Sequence, residues 1–310
     1  MNPAAATSAP SARLSAGQRR QVIGLTVGAL VVFAVFRLLP TGTNLNHGDF
    51  RLEGGNVLEF CDPAAPQFLP VTTVRSPIVF TGDPAEAAVG EETTFTFSLA
   101  TSSGKPICPV DLLVAHTRKL HLMAVDPNLL DYHHLHPEPG ANLGEWRARF
   151  TPRLAGTYRI FADFTPVATG RGLYASADVA VPGEVAVNMV VTSWEAQSAE
   201  HVFALRPASL PIRAREPAEL TLAIRRRDDA PVVMGEVMGA FAHLVAFDRE
   251  RSGFAHLHPR ETDLSVPLDP TAPELHFQVT IPTAGLYVIW AQMVLEGEDV
   301  FVPFWFEVAP

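Results

Sequence analysis

From about residue 75 onward the chain runs in short stretches in which apolar and polar residues alternate, separated by Gly, Pro and Asp. Alternation with a period of two marks a strand that buries one face. It predicts strands in "TTFTFSLA", "KLHLMAVD", "EWRARF", "GTYRIFADF" and "LYASADVAV". After a join near "VPGEVAVNMVVTSWEAQSAEHV" it predicts them again in "AELTLAIRR", "FAHLVAFD", "LHFQVTI", "GLYVIWAQM" and "FVPFWFEVA". No long segment past residue 40 has a helical period. The start of the chain is different: Arg19 and Arg20 precede an unbroken apolar run from Val22 to Phe36, which Leu38 and Leu39 extend to about 18 residues.

The two halves of the body superpose as text. "HLMAVD" at His121–Asp126 matches "HLVAFD" at His243–Asp248, "HHLHP" matches "AHLHP", and "LAGTYRIFADF" matches "TAGLYVIWAQM". The last pair sets Tyr158 against Tyr287 and Asp163 against Gln292. Between the His-Leu-His-Pro unit and the Ala-Gly turn the second copy is seven residues longer, a difference a loop absorbs. The expected fold is therefore all-β: two tandem Ig-like or cupredoxin-like β-sandwich domains from an internal duplication, of about seven strands each, preceded by one N-terminal transmembrane helix. The expected boundaries are a cytoplasmic tail over 1–20, an anchor over 21–40, a linker and Pro-rich tether over 41–75, sandwich one over 76–182, a join over 183–202 and sandwich two over 203–310.

The apolar run is just long enough to cross a bilayer, with Arg37 snorkelling to the interface. Arg13, Arg19 and Arg20 lie on its N-terminal side, so the positive-inside rule keeps that end in the cytoplasm and sends the body outside. A cleaved signal peptide is the competing reading, although "LLPTGTNLN" has no Ala-x-Ala-like site. The expected location is the cell inner membrane, single-pass, with the body in the periplasm or extracytoplasmic space and the lipid bilayer as a partner. The first 40 residues hold four of the 23 Lys and Arg and none of the 33 acidic residues, so the remainder, 19 against 33, carries a formal charge of −14. Such a body repels nucleic acid, and no nucleic-acid partner is expected. Cys61 and Cys108 match no metal motif; after export they can form one bridge, and the other reading is two buried thiols.

Eight of the eleven histidines fall in two windows. His121 precedes His134 by 13 residues, and His243 precedes His256 by 13 residues. In an extended segment positions i and i+2 share a face, so His134 with His136, and His256 with His258, each present two imidazoles on one side. If the strand of His121 neighbours the His-Leu-His segment, three imidazoles converge. Three neutral imidazoles with an open fourth position suit copper or zinc. Asp163 is the candidate fourth ligand in the first copy, and Gln292, its counterpart, is a far weaker one. The candidate metal ligands are thus His121, His134, His136, Asp163, His243, His256 and His258. Met123, Met238 and Met293 offer sulfur that tilts the choice toward copper. The bland reading is that the imidazoles cap loops and His-Pro keeps the segment extended.

Other features read as structural. Tyr158 and Tyr287 resemble the corner tyrosines of sandwiches. "RRRDDA" is expected at a solvated hairpin tip with self-compensated charge, "PFWFEV" as a buried final strand, and "ATGRGLYASAD" as a loop with a glycine hinge. The sequence has no G-x-S-x-G, Walker loop, dinucleotide fingerprint or H-E-x-x-H, so enzyme activity is not expected.

The combination "HLMAVDPNLLDYHHLHP…GEWRARFTPRLAGTYRIFADFTP" with "MGAFAHLVAFDRERSGFAHLHP" resembles bacterial exported proteins with a His-Leu…His-x-His-Pro…Ala-Gly-x-Tyr pattern. Some of these are similar to cupredoxin-like or YtkA-like sandwich modules associated with copper and heavy-metal handling. The resemblance covers roughly residues 58–310 and is strongest at His121, His134, His136, Gly156, Tyr158 and Asp163 and their second-copy counterparts. It implies an envelope location and a sandwich fold. Neither cysteine lies in a histidine cluster, so the blue-copper ligand set is not present. Two functions are expected on this basis. One is a membrane-anchored protein that stores, buffers or delivers copper or zinc. The other is a structural accessory subunit of a larger integral membrane complex, respiratory or photosynthetic, with the histidines as braces.

Overall fold

The computed structural model describes residues 14–38, 43–51, 66–82, 87–185 and 190–310. The chain divides into two units, Met1–Gly42 and Thr43–Pro310. The first contains helix α1 (Ala16–Leu38), all of whose described side chains are exposed. Its segment Ala16–Val35 is the one helix among the described residues long and apolar enough to cross a membrane. Cys61 lies outside the described residues, and the bridge expected with Cys108 falls there with it; so does the side chain of Arg37.

The second unit is all β. The first copy supplies β1 (Ile78–Gly82), β2 (Thr93–Thr101), β3 (Leu120–Val125), β4 (Tyr132–Leu135), β5 (Glu138–Pro139), β6 (Glu145–Phe150), β7 (Gly156–Phe164) and β8 (Leu173–Val181). They form two antiparallel sheets, β1-β2-β6-β5 and β4-β3-β7-β8. The second copy supplies β9 (Glu195–Gln197), β10 (His201–Pro207), β11 (Ile212–Arg213), β12 (Pro217–Arg226), β13 (Met234–Gly235), β14 (Ala242–Asp248), β15 (Phe254–Leu257), β16 (Glu274–Thr280), β17 (Gly285–Leu295) and β18 (Glu298–Ala309). Their sheets are β16-β12-β10-β9 and β11-β18-β17-β14-β15, with β13 added along β17. The fold class expected from the alternation and the duplication is the one observed.

Burial along the strands gives the order of the layers. β2 and β6 alternate buried and exposed positions, as outer strands do. β3 and β14 are buried at every position, so both of their faces are covered. On one face of β3, Leu120, Leu122 and Ala124 join the core of the first sandwich with Phe95, Phe97 and Trp146. On the other face, Met123 and Val125 join a central core that also contains Phe161, Tyr132, Phe247, Phe254, Trp290 and Trp305. The two sandwiches are therefore stacked as four layers, with the central core formed by facing sheets of the two copies. Tyr132 stacks on Trp290 at 5.8 Å and Phe161 packs on Phe254 at 5.3 Å. Trp290 Nε1 donates to the Leu129 carbonyl across the seam at 3.1 Å. Arg159 and Arg251 each donate to a backbone carbonyl of the opposite copy, at 3.0 and 2.7 Å.

The described parts of the expected linker are packed. Leu45 and Phe50 are buried in the core of the first sandwich. Residues 66–72 instead run as a strap along the second: Leu69 and Phe254 exchange backbone hydrogen bonds at 2.8 and 3.1 Å, and Thr72 N–H donates to Ser252 O at 2.8 Å. Gly253 makes this approach possible, because a Cβ there would lie 1.7 Å from the Leu69 carbonyl oxygen. The corner tyrosines are placed alike: each hydroxyl lies 3.0 Å from the carbonyl four residues upstream, Leu154 for Tyr158 and Thr283 for Tyr287. Within "RRRDDA", Arg225 pairs with Asp229 and Arg226 with Asp228, as the charge pattern suggests. "ATGRGLYASAD" divides: its first residues form a turn, and Leu173 onward is strand β8.

Candidate metal centre

Strand pairing brings each set of three histidines together. β3 lies between β4 and β7, and its register sets Met123 opposite His134 and His121 opposite Asp163. β14 repeats this, with Val245 opposite His256 and His243 opposite Gln292. In each His-Leu-His segment the histidines face the seam, while Leu257 is buried in the core of its own sandwich and Leu135 packs, half-buried, against the core of its own. His121, His134 and His136 form one group and His243, His256 and His258 another; one ring nitrogen from each member lies within 4.8 Å of the other two. These are the two triads that the 13-residue interval and the His-x-His spacing predict.

The hydrogen bonds fix which nitrogens are free. His121 Nε2 lies 3.0 Å from the Ala115 carbonyl and His243 Nε2 lies 3.1 Å from that of Val237, so both must donate. His134 Nδ1 lies 2.9 Å from Gln292 Oε1, and His256 Nδ1 lies 3.2 Å from Asp163 Oδ2. Those nitrogens therefore also carry their ring's proton. With these tautomers the remaining nitrogens turn lone pairs toward each other: His121 Nδ1 and His134 Nε2 are 3.2 Å apart, and His243 Nδ1 and His256 Nε2 are 3.1 Å apart. His136 Nε2 and His258 Nε2 are buried with no hydrogen-bond partner. Each triad thus pairs two close ring nitrogens with a third imidazole that has an unpartnered buried nitrogen, and a buried polar group without a partner costs about 1–3 kcal/mol. Two nitrogens bound at ~2.0–2.1 Å to one tetrahedral ion lie ~3.3 Å apart, close to the spacings present here. Carbonyl and carboxylate partners on the far nitrogen are what metal-binding imidazoles use to set their tautomer.

Protonation of these rings is disfavoured. Burial, reinforced by the surrounding imidazoles, holds His134 and His256 well below the usual histidine range. Burial brings His243 down to about 3, and burial together with the nearby Arg118 charge brings His136 down to about 4. Burial also raises the pKa of Asp163, a carboxyl whose ionised form gains from a positive ion beside it.

Two expectations about individual residues change. Asp163 does not complete the first triad; it reaches across the seam and braces His256 of the second. Gln292 does the reverse, bracing His134 of the first. The physical reason is that the two sheets face each other, so a side chain opposite a histidine on its own sheet projects into the other copy's site. The two triads also abut, with His134 and His256 rings 5.4 Å apart. His116, absent from the expected ligand set, stacks on His258 at 3.7 Å. It sits on a tight turn with positive φ at His116 and Thr117, and the second copy repeats that turn with Met238 and Gly239. The duplicated turn was the available sequence signal, but "AHTR" and "VMGA" share no chemistry. His133 belongs to a separate network: its Nε2 lies 2.9 Å from Asp131, which also accepts from Arg153 and Tyr158.

Fold and site together define a tandem β-sandwich protein carrying two buried histidine triads. The chain belongs to the DUF8832 family, described as a domain of unknown function, whose sequence profile matches residues 75–183 and again residues 198–310. No curated protein matches the chain. Among solved structures it is similar to a DUF4785 family protein from Legionella pneumophila, at 11% identity and a TM-score of 0.25, over 73% of this chain and 55% of that one. It is similar also to a putative membrane-anchored protein from Corynebacterium diphtheriae, at 10% identity and a TM-score of 0.25, over 76% and 59%. The fibronectin(III)-like modules of CbhA from Clostridium thermocellum match at 12% identity and a TM-score of 0.19, over 74% and 94%. The chain spans less than two thirds of the length of the first two.

Proposed function

We propose that this is a membrane-tethered, extracytoplasmic protein that binds two transition-metal ions, copper or zinc, one in each triad, and holds or passes them on without catalysing a reaction. The observation that carries the reading is the gathering of three imidazoles in each triad, two of them with ring nitrogens 3.2 or 3.1 Å apart and the third with a buried nitrogen that has no partner. Three neutral imidazoles suit either metal. A holding role fits a site whose nearest carboxylate, Asp163, is already engaged by His256. The apolar helix supports the tether, with α1 crossing the inner membrane and the body on the outer side.

The test is a titration of the metal-free full chain, in mild detergent, with Zn²⁺ and with Cu²⁺. Two equivalents should bind, with a rise in thermal stability that grows with metal concentration. The His134→Ala/His136→Ala variant should keep one equivalent, and adding His256→Ala/His258→Ala should abolish binding. Absence of binding by the wild-type chain would sink the proposal. Stoichiometric co-purification with a membrane complex would then favour the accessory subunit.

A further inference from the structure

The duplication made two sites whose surroundings have diverged, and two of the differences bear on charge and cover. Behind the first triad stands Gln292, a neutral amide; behind the second stands Asp163, a carboxylate, at matching positions on β17 and β7. On the tight turn that both copies share, the first copy has His116 and the second has Met238. His116 covers His258, with its ring 3.7 Å away and nearly parallel. In the first triad, His136 lines a cleft of about 420 Å³ with Thr94, Glu138, Arg147 and Arg149.

These differences act in one direction. A divalent ion held by three neutral imidazoles keeps its full charge in a buried site. A carboxylate hydrogen-bonded to the far nitrogen of one ligand offsets part of that charge and makes the imidazole a stronger donor; losing such a partner costs typically 10–100-fold in affinity. A neutral amide fixes the tautomer equally well but supplies no charge. Given that the triads are metal sites, we propose that they load in order: His243, His256 and His258 take the first divalent ion and keep it, because Asp163 delivers a negative charge to them across the seam. His121, His134 and His136 take the second ion more weakly and exchange it through the cleft at His136. The protein then has one resident ion and one transferable ion.

The experiment is a competition titration of the metal-free full chain with Zn²⁺ against a chromophoric chelator. Wild type should bind in two resolved steps, the weak one lost in His136→Ala and the tight one in His258→Ala. Asp163→Asn should weaken the tight step about 10–100-fold toward the weak one, and Asp163→Glu should restore part of the loss. Gln292→Glu should tighten the weak step, a gain that damage to the fold would not produce. Two indistinguishable steps in wild type would overturn the loading order while leaving the metal sites standing. So would a gap between the steps that Asp163→Asn and Gln292→Glu leave unchanged. No zinc uptake at all would remove the metal sites and the order together.

Discussion

The triad histidines are held by hydrogen bonds at their far nitrogens and sit where burial disfavours their charged form. This has a consequence for pH. His134, His136, His243 and His256 all have pKa values lowered in the folded protein, mainly by burial. Above the ordinary histidine pKa of about 6.5 both states are neutral and these groups contribute no pH dependence. Below it the unfolded chain takes up protons that the folded core refuses. Stability should therefore fall as pH drops from about 6.5 toward the folded values near 4 and 3. Each such imidazole adds up to about 1.4 kcal/mol per pH unit. Urea midpoints of the metal-free protein at pH 7.5 and 5.5 measure this, and equal midpoints would contradict it. The grouping of the triad histidines was legible from the sequence because a strand puts i and i+2 on one face. The role of Asp163 was not, because the sequence places it opposite His121 and says nothing of what faces that sheet.

Strands were the most legible elements: "EWRARF", "GTYRIFADF" and "LYASADVAV" coincide with β6, β7 and β8. β10 (His201–Pro207) was less so, its first residues having been assigned to the join. The strap was not legible as a partner of the second sandwich, because an extended Pro-rich segment carries no signal of which edge it covers. Its fit depends on Gly253. A Gly253→Ala change places a Cβ against backbone rather than a flexible side chain, so the strap or β15 must shift. The expected cost is about 1–3 kcal/mol, larger than the ~0.4–1 kcal/mol that alanine recovers from the unfolded chain. Hydrogen exchange at the Leu69 amide should accelerate in this variant, while that of the Phe95 amide in the opposite sandwich keeps its wild-type rate.

The whole molecule departs most from the tandem picture. Alternation and repeat predict two sandwiches, yet both inner sheets are buried on both faces, and the cores of the copies are joined through a third. The hint lay in "HLMAVD" and "HLVAFD", where the face shared with His121 or His243 is apolar as well as the core face. The body should unfold in a single transition reported alike by both halves. Trp290→Ala, which empties the seam and removes the bond to Leu129, should cost about 3–5 kcal/mol. Calorimetry showing two separate transitions in wild type would refute the shared core.

The reciprocal bracing of His134 by Gln292 and His256 by Asp163 also bears on ancestry. Equivalent surfaces meeting face to face is the geometry of an isologous homodimer. Two identical subunits meeting this way must carry the same residue behind both sites, so any change there alters both at once. Fusion into one polypeptide lifts that constraint: a single-residue mutation can specialise one site and leave its twin untouched.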